Sequence, residues 1–148
     1  MNWYKIAEKD EFRIGVVGYS DQKFDKSEAT ELLEKGIDEL AQDKKNVIIV
    51  SGLTDIGIPA LAYKIAVEKG FGTEGVACSK ADDYDCFSVD KKIIVGDDWG
   101  DESDTFLSVI DALLRVGGGS QSLKEVKTFK DTGSKVVEYE LDTAEDAK

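Results

Sequence analysis

Residues 111–125, DALLRVGGGSQSLKE, carry the decisive pattern of this chain. The apolar run Ala112 to Val116 suits a buried strand. Gly117, Gly118 and Gly119 suit a tight turn, and Ser120-Gln121-Ser122 opens a helical pattern. Glycine lets the backbone approach a ligand closely. The unpaired N–H groups of a first helical turn point at negative charge. Strand, glycine turn and helix start together predict an anion site, with the phosphate of a nucleotide-like ligand as its expected occupant.

The same alternation extends outward. Residues 12–18, FRIGVVG, read as a first buried strand, followed by a turn at Gly18-Tyr19-Ser20-Asp21. Residues 26–44 place Ala29, Leu32, Leu33, Ile37, Leu40 and Ala41 at helical spacing, with Asp25 or Ser27 as the cap. Residues 46–51, NVIIVS, make a second strand. A helix over 58–69 follows, with Pro59 in its first turn and Gly70 at its end. Residues 73–78 and 92–95 read as strands three and four, and the polar stretch between them as a short helix or a loop. A helix over 103–110, the strand at 112–116, a helix over 121–132 and a half-exposed strand over 135–141 complete the pattern. Residues 1–11, with Trp3 and Tyr4, are expected to form an edge strand or arm, and residues 142–148 a charged, frayed tail.

Apolar strands alternating with helices predict a single α/β domain. The expected architecture is a doubly wound, mostly parallel sheet with helices on both faces and a core spanning about residues 12–141. Parallel strands present all their carboxyl ends on one edge, where ligands bind. Three such ends are chemically marked: Gly18-Tyr19-Ser20, Ser51-Gly52-Leu53-Thr54 and Gly117-Gly118-Gly119-Ser120-Gln121-Ser122. Each combines glycine, hydroxyl groups and a following helix. All are taken as ligand-binding or phosphate-binding candidates.

On these residues the chain resembles the SLOG superfamily of Rossmann-like nucleotide-binding domains. That superfamily includes the "lonely guy" phosphoribohydrolases (often mislabelled lysine decarboxylases), molybdenum-cofactor carrier proteins and the DNA-processing protein A core. The family's P-G-G-x-G-T-x-x-E motif aligns with Gly117 to Glu125, and its earlier glycine turn with Ser51 to Ile58, SGLTDIGI. The resemblance implies phosphate binding at the glycine turn and a catalytic role for Glu125 at a glycosidic bond. Gly117 replaces the motif proline, Ser122 its threonine and Gln121 a glycine. The central arginine of the phosphoribohydrolases has no counterpart between Ser79 and Leu114.

Composition narrows the classes. The 148 residues carry a net charge of −12 and 41% hydrophobic residues, a soluble globular composition without the basic footprint that nucleic-acid binding requires. No apolar run reaches the roughly 20 residues that cross a bilayer, and the amino-terminal stretch lacks a signal-peptide core, so a cytoplasmic protein is expected. Without histidine, imidazole bases and histidine zinc sites are excluded. Cys78 and Cys86 read as a buried small residue and a loop thiol. No cofactor is required, although a bound nucleotide fits the pattern. Apolar helix faces and the resemblance favour a homo-oligomer.

Two readings compete at several positions. Ser122-x-x-Glu125 is also a capping-box pattern, so Glu125 is either a helix cap or a catalytic acid. Ser51 and Thr54 either contact a ligand or cap the next helix, and Tyr19 either stacks on a base or is an ordinary turn residue. Asp97, Asp98, Asp101, Glu102 and Asp104 read as a solvated helix start rather than a metal site. The expected function is binding of a nucleotide or nucleotide-derived molecule. The alternative is hydrolysis of nucleoside 5′-monophosphates to base and ribose 5-phosphate.

Overall fold

The computed structural model describes residues 11–20 and 23–143; the expected amino-terminal arm and most of the expected tail lie outside them. Six strands form one sheet: β1 (Phe12–Gly18), β2 (Val47–Ser51), β3 (Gly72–Ala77), β4 (Lys91–Ile94), β5 (Ala112–Val116) and β6 (Lys135–Tyr139). Their spatial order is β4-β3-β2-β1-β5-β6, and every neighbouring pair is parallel. The chain winds outward from β1 to β4, then crosses back to lay β5 against the free side of β1. The crevice expected at such a switch point lies above the carboxyl ends of β1 and β5.

Four helices cover the two faces: α1 (Lys26–Ala41), α2 (Gly57–Lys69), α3 (Ser103–Val109) and α4 (Ser120–Lys130). Strand alternation sends Ile14, Val16, Ile49, Leu114 and Val116 to one face, where Leu33, Ile37, Ile58 and Ala62 of α1 and α2 meet them. Val17, Val50, Val76 and Leu113 point to the other face, against Phe106 of α3 and Val126 and Phe129 of α4. The central strands are therefore apolar on both sides, as a sheet covered twice requires. The edge strand β4 is mostly exposed and begins with two lysines, a charged edge that discourages further pairing.

Local chemistry accounts for the helix ends. Asp25, not Ser27, caps α1, its side chain accepting the Glu28 amide at 3.1 Å. That helix stops at Ala41, three residues short of the sequence expectation, because Asp43 and Asn46 adopt left-handed backbone (φ 63° and 53°). Gly70 ends α2 in the left-handed conformation, and Pro59 sits in its first turn. The stretch between β3 and β4 holds one 3-10 turn, Ser79–Asp83. The extended chain after it hydrogen-bonds to the turn beyond β2, through Asp55 N to Asp85 O (2.8 Å) and Phe87 N to Leu53 O (2.9 Å).

Candidate functional site

A cleft of about 460 Å³ opens at the carboxyl edge of the sheet. The turn after β1 contributes Gly18, Tyr19 and Ser20, the turn after β2 contributes Ser51, Gly52, Leu53 and Thr54, and the start of α4 contributes Gly119, Ser120, Gln121 and Ser122. Residues from three separate parts of the sequence thus border one space. The first two turns are pinned together, since the Ile58 amide donates to the Tyr19 carbonyl at 2.8 Å.

Gly117 and Gly118 do not line the cleft. They shape the bend that delivers the residues that do. Both have positive φ (63° and 107°). The Gly117 amide donates to the Tyr139 carbonyl at 2.9 Å, and its carbonyl accepts Nη1 of the buried Arg115 at 2.9 Å. Beyond this stitch the chain swings into α4 with Gly119 as an extended N-cap that carries no capping side chain. The amides of Ser120, Gln121 and Ser122 donate to no acceptor among the described residues, the usual state of a first helical turn. They form a partial positive charge at the cleft wall.

Several hydroxyl candidates are otherwise engaged. The Ser51 hydroxyl donates to the Val16 carbonyl at 2.6 Å and is buried. The Ser51 amide donates to the Tyr63 hydroxyl (3.0 Å), which also lies 2.7 Å from the Gly52 carbonyl. Burial pushes the Tyr63 phenol far above its ordinary value, so it stays neutral and keeps the second turn in shape. Neither Ser51 nor Thr54 caps α2, whose N-cap is Ile56. The Tyr19 ring stacks near Phe24, with centroids 6.2 Å apart, and packs over Gly117.

Glu125 is not the cap that its spacing from Ser122 suggests. The helix begins at Ser120, so Glu125 lies well inside it, beyond reach of the end. Its carboxylate instead accepts the Ser103 hydroxyl of α3 at 2.7 Å and borders the cleft. Burial raises its pKa above the ordinary carboxylate value. The Ser103 and Gln121 hydrogen bonds oppose that rise, and the neighbouring charge of Glu102 adds to it.

Glu102 departs from the solvated acidic helix start that its sequence context predicts. It is buried, lines the cleft, and accepts Gly100 N (3.0 Å) and Gln121 Nε2 (3.1 Å). Asp101 turns away and ties the loop by accepting the amides of Asp97 and Asp98. No cluster of metal-ligating side chains occurs among the described residues. Trp99 and Phe106 also line the cleft, Trp99 at its exposed rim beside Tyr84. Nothing in the local pattern around 99–106 marks these residues, because their role comes from the return of the chain beside α4. Cys78 is buried and Cys86 half-buried, both as free thiols.

Solved structures of the same architecture are known. The chain is similar to the molybdenum cofactor carrier protein from Chlamydomonas reinhardtii, with 25% identity, 86% of this chain and 76% of that one covered, and a TM-score of 0.66. It is similar also to the molybdenum cofactor binding protein from the phototrophic bacterium Rippkaea orientalis, with 22% identity, the same coverages of 86% and 76%, and a TM-score of 0.69. No protein-family model and no curated protein matches the chain. Its structural relatives are thus SLOG-type proteins, and the six-stranded Rossmann-like fold is the ground of that kinship.

Proposed function

We propose that this chain binds a nucleotide or nucleotide-derived small molecule, with its phosphate on the first-turn amides of α4. One observation carries the reading: two strand-end turns and an unsatisfied helix start border the same cleft at the switch point of the sheet. Relatives named as carrying or binding a molybdenum cofactor support a small-molecule ligand. The net charge of −12 disfavours a nucleic acid, and no helix among the described residues is long and apolar enough to cross a membrane. The ligand is then a free metabolite, and we place its encounter with the protein in the cytoplasm.

Gly119 supplies the test. Its φ is −97° and nothing lies within 4 Å of a Cβ built there, so a side chain enters without strain. In Gly119→Asp the carboxylate caps α4, adding a few tenths of a kcal/mol, while occupying the place of the phosphate. Thermal unfolding is followed against a panel of mono- and dinucleotides and the molybdenum cofactor. A ligand at one hundred times its Kd raises the parent's stability by about 2.7 kcal/mol. The variant is expected to match or exceed the parent's melting temperature without ligand and to show no rise with it. A panel that leaves the parent unshifted overturns the reading.

The cleft position of Glu125 favours a second reading, hydrolysis of a nucleoside 5′-monophosphate. Water would add its hydroxyl to the sugar carbon as the glycosidic bond breaks, and its proton would leave with the base. The buried carboxyl would steer that water or stabilise positive charge on the sugar. Incubation with AMP is expected to release adenine from the parent and none from Glu125→Ala. No adenine at high protein concentration removes the reading and leaves binding alone.

A further inference from the structure

Among the described residues, the wall that would hold a phosphate contains no basic side chain. Among the described lining residues the charged ones are Glu102 and Glu125, 8% and 7% exposed. A helix start offers an anion about half a unit of positive charge. Two ionised carboxylates in a wall nearly closed to water oppose that attraction, and poor screening makes their repulsion felt. A bound anion therefore needs a compensating positive charge.

We propose that an anionic ligand enters this cleft together with one proton, and that the proton resides on the Glu125 carboxyl. The inference rests on the phosphate reading above. The proton comes from solvent and turns carboxylate into carboxylic acid; no bond within the ligand changes. A repelling group thereby becomes an O–H donor that can face a ligand oxygen.

The geometry assigns the proton to Glu125 rather than Glu102. Glu102 accepts Gly100 N at 3.0 Å and Gln121 Nε2 at 3.1 Å. Gln121 also bears on Glu125, but with its amide turned to Glu102 the direct hydrogen bond that Glu125 accepts is the Ser103 hydroxyl at 2.7 Å. Removing charge from Glu125 therefore forfeits less hydrogen bonding. The other groups around the wall leave the proton unopposed. Among the described residues, the turns after β1 and β2 and the end of β3 contribute only uncharged lining residues. Gln121 and Ser122 beside Glu125 on α4 are neutral, and the nearest further charges on the two helices, Lys124 and Asp104, are exposed. Burial of Glu125 and the charge of Glu102 already favour the protonated form in the free protein.

The test uses AMP and adenosine 5′-sulfate, whose sulfate, unlike the phosphate of AMP, keeps one charge at every pH used. Affinity is measured between about pH 5 and pH 9, where ordinary carboxylates and lysines do not titrate. Wild-type affinity for the sulfate is expected to fall as pH rises through the Glu125 transition, by up to about tenfold per unit. Calorimetry in two buffers of different ionisation enthalpy is expected to show up to one proton taken up per ligand. Glu125→Gln, a neutral mimic of the acid, is expected to hold the low-pH affinity throughout and to take up no proton. Glu102→Gln keeps the uptake. Binding with flat pH dependence and no proton uptake in the wild type overturns the coupling while leaving the phosphate reading intact. Absence of binding by both probes, in every variant and at every pH, overturns both. Should Glu125→Gln not fold, the two-buffer measurement on the wild type decides alone.

Discussion

Gly57→Ala is expected to lower stability by about 3 kcal/mol, or about 6–12 °C in melting temperature for a domain of this size. Gly57 opens α2 with φ +64°, a conformation that costs an L-residue about 1 kcal/mol or more. Space is the larger objection. A Cβ built there falls 2.3 Å from the Tyr19 carbonyl oxygen, 2.5 Å from that of Ser20 and 2.8 Å from the Ser20 Cα. All three are backbone atoms, so no rotamer change relieves the contact. The two turns must separate, and the Ile58 to Tyr19 hydrogen bond that joins them goes with the movement. Gly70→Ala separates strain from collision: its φ is +76°, but nothing lies within 4 Å of its Cβ. About 1 kcal/mol is expected there. Denaturant unfolding of both variants measures the difference, and equal losses would show that the first two turns are not packed as described. Gly57→Ala is expected also to lose ligand-induced stabilisation, which Gly70→Ala keeps.

Arg13→Met is expected to cost about 3 kcal/mol while leaving ligand binding unchanged below the transition. Arg13 on β1 reaches across β2 to Glu74 on β3, forming two bonds of 2.9 Å through Nε and Nη2. The Glu74 side chain is 8% exposed and that of Arg13 22%. Removing the arginine strands a nearly buried carboxylate on the sheet face, the costly half of breaking such a pair. Water reaching the arginine end holds the loss to the lower part of the usual range. Replacing both residues, as Arg13→Met with Glu74→Met, removes the stranded charge, and stability is expected to return to within about 1 kcal/mol of the parent. Urea unfolding of the two singles and the double closes the cycle. A double variant as damaged as Arg13→Met would mean that side-chain packing, not the charge, sets the cost. The pair sits near the amino-terminal end of the strands, away from the cleft, so binding serves as the control.

What the sequence made legible was the local demand of particular residues. The apolar runs at β1, β2 and β5 needed no partner to be recognised. Glycine and hydroxyl residues at each strand end marked the cleft edge, because only such residues suit a bend of that tightness. What stayed hidden depends on separation along the chain. Glu125 and Ser103 are 22 residues apart, and their hydrogen bond exists only because α3 and α4 pack on the same face. The S-x-x-E spacing suggested a cap because it carries no information about where the helix starts; a start at Ser120 moves Glu125 to the interior. Glu102 sits among five acids whose composition says solvent, and only the backbone path puts one of them inside. The early end of α1 turned on Asp43 and Asn46 adopting left-handed backbone, which their short polar side chains permit but do not compel.

The stitch between the glycine bend and β6 ties the backbone behind the cleft to the outermost strand of the sheet. Gly117 can release its amide proton to solvent only when β6 lifts away, so deuterium uptake at that one position reports detachment of the sheet margin. Arg115 reinforces the seam by gripping Glu138 on β6 and Glu140 just beyond it. Loosening that margin would therefore blur the cradle without touching any group that meets the ligand, and tightening it would sharpen the cradle from behind.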